Sequence, residues 1–239
     1  LTAVPPDLTV ELPFAVLTFV CVFTPELESG ECDTSIVSST IEWLNTPLIC
    51  IKSTVPVGYT DSIIEKTGKN IVFSPEYIGE STYDTGYYNF NKSMRNHSFY
   101  IFGGHKENTA KMVNLYCEIG GPTKVYRQTD AKSAELAKYM ENAFFSVKTV
   151  FCYEMDQIAK TMGVDYNELR ELWLLDPRMG TSHTCVFESK KHPYDGKCLP
   201  KDIASVVHTS NASGYRPDFL MDVIKNNERI GYMRDKHDV

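Results

Sequence analysis

One thiol in the sequence lies between a turn and the predicted start of a helix. Asp195 and Gly196 form a pair typical of turns, because glycine accepts positive φ and aspartate bonds its own backbone. Pro200 is typical of the first turn of a helix. A helix N-terminus and a lysine close on either side favour the thiolate of Cys198 over its thiol. The sequence predicts an activated nucleophile, and a structural cysteine buried in the core is the alternative.

Two further groups of polar residues have a spacing that could serve chemistry. Lys138 and Asn142 are four residues apart in a predicted helix, so they share one face and are either paired donors in a cleft or a solvated stripe. Thr24-Pro25, Ser53-Thr54 and Pro75-Glu76 each follow a predicted strand. Because ligands of open α/β sheets bind beyond the carboxyl ends of the strands, these loops are either a binding edge or ordinary strand-end loops.

Strands and helices alternate through the first half of the chain. Apolar runs rich in β-branched residues predict buried strands over 14–22, 48–52, 71–73, 98–102 and 124–126, the fourth stopped by Gly103-Gly104. Helices are predicted over about 33–44, 59–66 and 107–117. This alternation indicates an α/β fold with a mostly parallel, doubly wound, Rossmann-like sheet and right-handed crossovers.

After Asp130 the pattern is typical of helices alone. A long central helix without glycine or proline is predicted over about 133–161, and shorter helices are expected after Asp165, Pro200 and Pro217. The sequence therefore predicts an incomplete Rossmann-like domain, 1–130, followed by an α-helical domain, 131–239. A helix of about thirty residues is about 45 Å long, so we expect it to join two subunits or two domains.

The composition is that of an ordinary globular protein, large enough for one large domain or two small ones. The net charge of −7 provides no basic surface for nucleic acid. The seven cysteines are irregularly spaced without a Cys-x-x-Cys motif, which argues against a disulfide framework or a metal site and favours the reducing cytoplasm. The apolar run 12–23 lacks a positive flank and is too short to span a bilayer, so we expect no membrane partner.

Several motifs, in the same order along the chain, resemble those of the UDP-glucose/GDP-mannose dehydrogenase family. The resemblance spans nearly the whole chain and is carried by the set rather than by any one motif. The motifs are a strand followed by Thr24-Pro25, then Ser53-Thr54-Val55-Pro56-Val57-Gly58, Pro75-Glu76-Tyr77-Ile78-Gly79-Glu80, Ala134-Glu135-Leu136-Ala137-Lys138 with Asn142, Asp176-Pro177-Arg178-Met179-Gly180, and Gly196-Lys197-Cys198-Leu199-Pro200-Lys201-Asp202.

Members of this family oxidise the primary alcohol of a nucleotide sugar to a carboxylate with two NAD molecules, and the resemblance implies that reaction here, with UDP-glucose as the expected substrate. It implies that Cys198 attacks the aldehyde, so that a second hydride transfer leaves a thioester. It also implies a homodimer or a higher homo-oligomer. The other implied roles are oxyanion stabilisation by Lys138 and Asn142, binding of a water by Thr54 and Asp202, base catalysis of thioester hydrolysis by Glu76, contacts on the NAD side by Thr24, Thr54, Glu80 and Lys201, and contact of Arg178 with the substrate of a neighbouring subunit.

The sequence also departs from the family's pattern. It contains no Gly-x-Gly-x-x-Gly motif, and the third domain that completes the family's nucleotide-sugar site would follow the helix that begins near Pro217. Asp195 occupies a position where the family usually has glycine, and Tyr153 one where it often has asparagine. We therefore expect the chain to comprise the end of a cofactor domain and a helical domain. These residues alone are expected to bind NAD weakly or not at all, because the phosphate-binding helix N-terminus is missing.

Three accounts of the chain remain open at this point. It is a piece of a full dehydrogenase, a shortened enzyme that completes its site by association, or a catalytically inactive homologue that acts as a binding or structural protein. The full set of candidate catalytic residues argues against the third account. A rival from another class is a thiol hydrolase or acyltransferase that pairs Cys198 with a histidine, and the available residues are His183, His192 and His208.

Overall fold

The computed structural model of the chain describes residues 16–78, 94 and 97–235. Within these residues the chain forms two compact units. The first comprises 16–28, 32–78, 94 and 97–138, and the second comprises 29–31 and 139–235. The first two turns of the long helix thus belong with the first unit, while the division at residue 130 stays a prediction.

The predicted order of strands and helices is confirmed, with boundaries that differ by a few residues. The strands are β1 (Thr18–Val20), β2 (Ile49–Ile51), β3 (Ile71–Phe73), β4 (Phe99–Gly104) and β5 (Val125–Thr129). The helices are α1 (Ser35–Trp43), α2 (Tyr59–Thr67), α3 (Lys106–Gly120), α4 (Ala131–Thr161), α5 (Tyr166–Trp173), α6 (Leu199–Ala212) and α7 (Asp218–Asp235).

The five strands form one mixed sheet in the order β1-β2-β3-β4-β5, in which only β3 and β4 are antiparallel neighbours. Alternate residues of a strand point to opposite faces, and in β2 Ile49 and Ile51 pack in one core while Cys50 packs in the other. Residues of α1 and α2 complete the first core and residues of α3 the second. Helices on both faces confirm the α/β, Rossmann-like, doubly wound fold.

The register of the antiparallel pair brings the start of α4 next to the carboxyl end of β3. Gly103 pairs both with Phe73, the last residue of β3, and with Thr129, the last residue of β5. Helix α4 begins two residues after Thr129, so its first turn lies beside that end of the sheet. The predicted stop at Gly103-Gly104 lies at the end of the strand, but β4 includes both glycines and ends at Gly104 rather than at Phe102. A Cβ atom at Gly103 would lie 2.5 Å from Cβ of Ala134 and 2.9 Å from the carbonyl oxygen of Asp130, so glycine is needed for the close approach of α4.

Strand β1 is shorter than the predicted 14–22, of which residues 14 and 15 lie outside the described residues. The reason is that the hydroxyl of Ser53, rather than a neighbouring strand, bonds the backbone of Val22. The backbone N–H of Val22 donates to Oγ of Ser53 at 2.8 Å, and the same hydroxyl donates to the carbonyl oxygen of Val22 at 2.7 Å. The chain therefore leaves the sheet after Val20 without losing the hydrogen bonds of Val22.

The second unit packs α4, α6 and α7 around a core of its own. The long central helix is confirmed, and its buried side in this unit continues into side chains from both other helices. The buried core residues are Ala143, Val150, Tyr153, Tyr194, Ile203, Val223 and Ile230. Among the described residues, no helix combines the length and the apolar character needed to cross a membrane.

A buried carboxylate links α4 to the loop that follows β2. Glu135 is fully buried, and its carboxylate accepts the backbone N–H of Gly58 at 2.5 Å and that of Thr60 at 2.9 Å. These donors belong to the N-terminus of α2, whose dipole favours a negative charge. Burial nevertheless raises the pKa of Glu135. Helix α4 is thereby fixed to the strand-end loop that carries Thr54.

We expect Glu135→Ala to lower the free energy of unfolding by about 3 kcal/mol, because two buried amides lose their acceptor. Glu135→Gln should cost less, since its amide oxygen still accepts. The raised pKa means that the stabilising contribution of Glu135 is complete below about pH 4 and is lost as the pH rises through the folded-state pKa. The stability difference between wild type and Glu135→Gln should therefore shrink with rising pH. Urea unfolding across pH measures both effects, and a constant difference would contradict the second.

Candidate functional site

Three polar loops follow the parallel strands β1, β2 and β3 and lie on one side of the sheet, as the sequence predicts. We call these loops, residues 21–25, 52–58 and 74–78, the strand-end edge. They contain Thr24, which is buried, and Thr54, which is half-buried. The thiol of Cys32 contacts the carbonyl oxygens of Thr24 at 3.9 Å and Thr54 at 3.6 Å. This cysteine therefore contacts two of the three loops at once.

The carboxylate of Glu76 is fixed on both of its oxygens. Oε1 accepts the backbone N–H of Tyr77 at 2.9 Å and that of Ile78 at 3.0 Å. Oε2 lies 3.3 Å from Nζ of Lys52, a buried lysine whose ammonium also contacts Oγ of Ser74 and the carbonyl oxygen of Pro75. The side chain of Glu76 remains about one third exposed. A carboxylate held in one orientation and open to solvent can act as a base towards a bound ligand or water.

Lys138 also belongs to this side of the first unit. Its ammonium lies 5.1 Å from the centre of the Tyr77 ring, which is a cation–π distance. Tyr77 follows Glu76 directly, so Lys138 stands close to the carboxylate's loop. Glu80, one of the four residues predicted on the NAD side, lies outside the described residues.

We expect the two members of the Lys52–Glu76 pair to differ in what their removal costs. Glu76→Leu leaves a buried ammonium with two weak neutral acceptors, whereas Lys52→Met leaves a carboxylate that keeps two backbone donors and access to solvent. Glu76→Leu should therefore lower the unfolding free energy by about 2 kcal/mol more than Lys52→Met. Chemical denaturation of both variants compares them, and equal losses would show that the lysine is not desolvated.

Cys198 occupies the N-cap position of α6, the place that the sequence predicts. The N–H of Asp202 donates to the carbonyl oxygen of Cys198 at 2.9 Å, and Pro200 lies in the first turn. Gly196 has a φ of +83°, as expected for the turn before the helix. The thiol is partly exposed, so the alternative of a cysteine buried in the core is wrong.

Asp202 brings together two residues that are distant in sequence. Its buried carboxylate accepts Nδ2 of Asn142 on one oxygen at 2.5 Å and pairs with Nζ of Lys201 on the other at 2.5 Å. Asn142 is itself buried, so it is not part of a solvated stripe. We call Cys198, Lys201, Asp202 and Asn142 the cysteine cluster. A buried acid paired with a lysine and an amide gives this helix start a fixed arrangement of donors and charge.

Arg178 has a different environment from the cysteine cluster. Its guanidinium is largely exposed and donates to the carboxylate of Asp176, with Nε 3.0 Å from each oxygen. These hydrogen bonds lower the pKa of Asp176 and raise that of Arg178. Nearby, Nζ of Lys148 donates to the carbonyl oxygens of Met179 and Gly180 at 2.9 and 2.7 Å. Helix α4 thus anchors the loop, while Arg178 points its charge to solvent.

The three candidate histidines either have contacts with other residues or lie far along α6 from Cys198. The His183 ring stacks on Phe145 at 4.0 Å, its Nδ1 bonds Oγ of Ser182, and burial beside two lysines lowers its pKa to about 4. Nδ1 of His192 donates to the carbonyl oxygen of Asn227 at 3.3 Å. His208 lies ten residues along α6 from Cys198, about 15 Å away along the axis.

Two residues that shape the candidate site were not identified from the sequence. Lys52 directly follows a wholly buried strand, and that position was the available signal for a buried lysine at the edge. Glu135 lies four residues before the buried Tyr139, so it falls on the core side of α4. Among the described residues, no three His, Cys, Asp or Glu side chains group in a way that could hold a metal ion.

Two family models match separate parts of the chain. Residues 6–119 match the NAD binding domain of the UDP-glucose/GDP-mannose dehydrogenase family, and residues 132–229 match the central domain of the same family. Together the two matches include every predicted site residue and leave residues 120–131, which contain β5, unmatched.

Curated relatives extend well beyond the matched region. The chain is 27% identical to UDP-glucose 6-dehydrogenase TuaD of Bacillus subtilis, over 92% of the chain and 49% of that protein. It is 30% identical to a UDP-glucose 6-dehydrogenase of Rickettsia conorii, over 95% of the chain and 52% of that protein. The chain therefore spans about half the length of these relatives.

Solved structures share the fold. The UDP-glucose dehydrogenase of Pyrobaculum islandicum superposes with a TM-score of 0.76 at 23% identity, over 89% of this chain and 50% of that one. The UDP-D-ManNAc dehydrogenase of Pyrococcus horikoshii gives 0.72 at 23% identity, over 90% of this chain and 51% of that one.

Proposed function

Because the chain belongs to the UDP-glucose/GDP-mannose dehydrogenase family, we propose that it takes part in the NAD-dependent oxidation of a nucleotide sugar to its uronate, with UDP-glucose as the first candidate. One structural observation carries the proposal. A partly exposed cysteine occupies the N-cap position of a helix whose first turn contains a buried aspartate, and that aspartate is bonded by Lys201 and Asn142. A nucleophile beside a preorganised set of donors is suited to chemistry on a carbonyl group.

The family's NAD binding domain identifies the cofactor as NAD. The described strand-end edge fits part of a dinucleotide, because Thr24, Thr54 and the backbone of Gly58 supply polar groups at the ends of parallel strands. It lacks a glycine-rich turn for the pyrophosphate, so these residues would hold only part of NAD. When bound, NAD accepts the hydride that the sugar loses.

In the proposed reaction Cys198 adds to the aldehyde, and loss of hydride from the adduct leaves a thioester. Water then cleaves the C–S bond, which releases the carboxylate and returns the thiol. Lys138 and Asn142 would stabilise the oxyanions, and Thr54 with Asp202 would hold the water. Glu76 would take the proton of that water, which its fixed orientation and partial exposure support.

We propose that the remaining predicted residues serve binding. Thr24, Thr54, Glu80 and Lys201 would contact NAD or its surroundings, and Arg178 would contact the substrate of a neighbouring subunit. The exposed guanidinium of Arg178 supports a role outside its own subunit. The reducing cytoplasm, which the cysteine pattern favours, is the proposed location.

We expect the full-length gene product to form NADH with one of UDP-glucose, UDP-N-acetylmannosamine or GDP-mannose. Cys198→Ser should abolish uronate formation, because an alkoxide of serine neither adds nor leaves as a thiolate does. Cys185→Ser is the matched control, since this half-buried thiol lies in the same loop region and should keep full turnover. NADH absorbance and product analysis by mass spectrometry measure the two results.

Two results would overturn the proposal. Uronate formed by Cys198→Ser at the wild-type rate would remove the thioester route. No NADH from any of the three sugars, in a protein shown to be folded, would favour the alternative of a catalytically inactive homologue that acts in binding or structure. The thiol hydrolase alternative predicts ester cleavage that does not depend on NAD, which the same preparations would reveal.

We also propose that α4 packs against a second copy of the chain. Four apolar side chains of α4, at positions 140, 144, 151 and 158, are between 39% and 73% exposed. Their spacings of four and seven residues place them on one side of the helix. A stripe of this length on a helix of 31 residues fits the antiparallel or parallel packing of an identical helix. The stripe is exposed, whereas the other apolar side of α4 is buried in the unit's own core.

We expect Phe144→Glu with Phe151→Glu to shift the full-length protein from a dimer or larger oligomer to a monomer, because charges on the stripe would be desolvated by a partner helix. Asn211→Glu adds the same charge to an exposed position on α6 and should leave the assembly unchanged. Size-exclusion chromatography with light scattering measures the mass. A wild-type monomer would overturn the proposed packing of α4 against a second copy.

A further inference from the structure

The segment 188–197, just before Cys198, contains no helix or strand, yet its middle is firmly buried. Tyr194 is almost fully buried in the core formed by α4, α6 and α7. Its backbone N–H also needs a partner, because a buried donor without one is costly. That partner is Oδ1 of Asn227, a buried residue of α7, at 3.0 Å. The segment therefore depends on a side chain of α7 for a backbone hydrogen bond.

A second contact lies one turn further along the same face of α7. A Cβ atom at Gly231 would lie 2.2 Å from Nδ1 of His192, so the imidazole ring packs directly on the helix backbone. The same Nδ1 donates to the carbonyl oxygen of Asn227 at 3.3 Å. Glycine is unfavourable inside a helix, and here it makes room for this ring. Residues 227 and 231 thus hold the segment at two neighbouring points.

The adjacent Asn226 differs in what its amide contacts. Its Nδ2 donates to the carbonyl oxygen of Asp222 at 2.9 Å and its Oδ1 accepts from Arg229 at 2.9 Å, all within α7 and in exposed positions. Asparagine is a poor helix former. The hydrogen bond to Tyr194 therefore explains why a poor helix former occupies position 227. Asn226, which bonds only within α7, is a matched position without that contact.

Only three residues separate Tyr194 from Cys198. They include the turn at Gly196, and Asp195 is braced by an ion pair with Lys190 at 2.8 Å. Because this connection is so short, a displacement of Tyr194 would also displace Cys198 at the N-cap of α6. We infer that α7 positions the thiol of Cys198, with Asn227 as the positioning residue and Gly231 as the contact surface for His192. This inference rests on the proposed function only for its effect on turnover.

Hydrogen exchange of the full-length protein tests the inference without any need for activity. Asn227→Ala should raise exchange of the Tyr194 amide by about tenfold and leave α4 and α6 protected, because one buried hydrogen bond is lost locally. Asn227→Asp keeps an oxygen acceptor in the same place and should restore protection. Asn226→Ala is the matched control and should exchange as the wild type does. Gly231→Ala should also expose the segment, since its methyl group displaces His192.

Turnover gives the second readout. In Asn227→Ala, kcat should fall by about tenfold while KM for NAD stays constant, because a misplaced thiol slows chemistry without changing cofactor contacts. Asn227→Asp should recover most of kcat. Wild-type exchange in Asn227→Ala would overturn the inference, as would faster exchange throughout the second unit, which would indicate a general loss of stability. If the wild type forms no NADH but Asn227→Ala still exposes Tyr194, the proposed function fails while α7 keeps its role in holding the segment.

Discussion

The buried carboxylate of Glu135 is the constraint on which the first unit depends. A charge without solvent requires strong partners, and this one finds them in two backbone amides at the start of α2. The start of α2 is fixed in turn by the strand that precedes it. Helix α4 is therefore bound to the sheet by a contact that permits little sliding, since one turn of displacement would leave both the acid and the amides unpaired.

Within the first unit this contact determines where Lys138 lies, and Asn142 has its own partner in the second unit. Lys138 follows Glu135 by about one turn and reaches the ring of Tyr77 beside the strand-end edge. Asn142 follows after one more turn and reaches Asp202 in the second unit's own cluster. Glu135, Lys138 and Asn142 thus recur at helical spacing along α4, and each contacts a buried or partly buried partner.

The architecture and much of the candidate site could be predicted from the sequence because local signals and topology agreed. The apolar strands, the turn at Gly196 and the proline of α6 were enough to locate Cys198 at a helix start. Non-local contacts were less accessible. The sequence predicts that the strand stops before Gly103, because nothing local reveals that this glycine pairs within the strand and is approached by another backbone. Likewise, the sequence predicts Val22 as a strand residue. Its backbone instead bonds the hydroxyl of Ser53, which is 31 residues away in sequence. The role of Lys52 depends on a carboxylate from the next strand's loop, which spacing alone does not reveal.

The close approach at Gly103 has a consequence for how sequence change in this protein should be interpreted. A side chain there would meet not only the methyl group of Ala134 but also backbone atoms of Asp130 and Ala131, so no compensating substitution at residue 134 could relieve the clash. Any larger residue must push the first turn of α4 away from β4 and thereby tilt the helix that presents Lys138. A mutational scan would therefore register Gly103 as sensitive to substitution, as though its own side chain carried a role. Gly103 has no functional group, and it contributes by lacking a Cβ atom where the first turn of α4 packs.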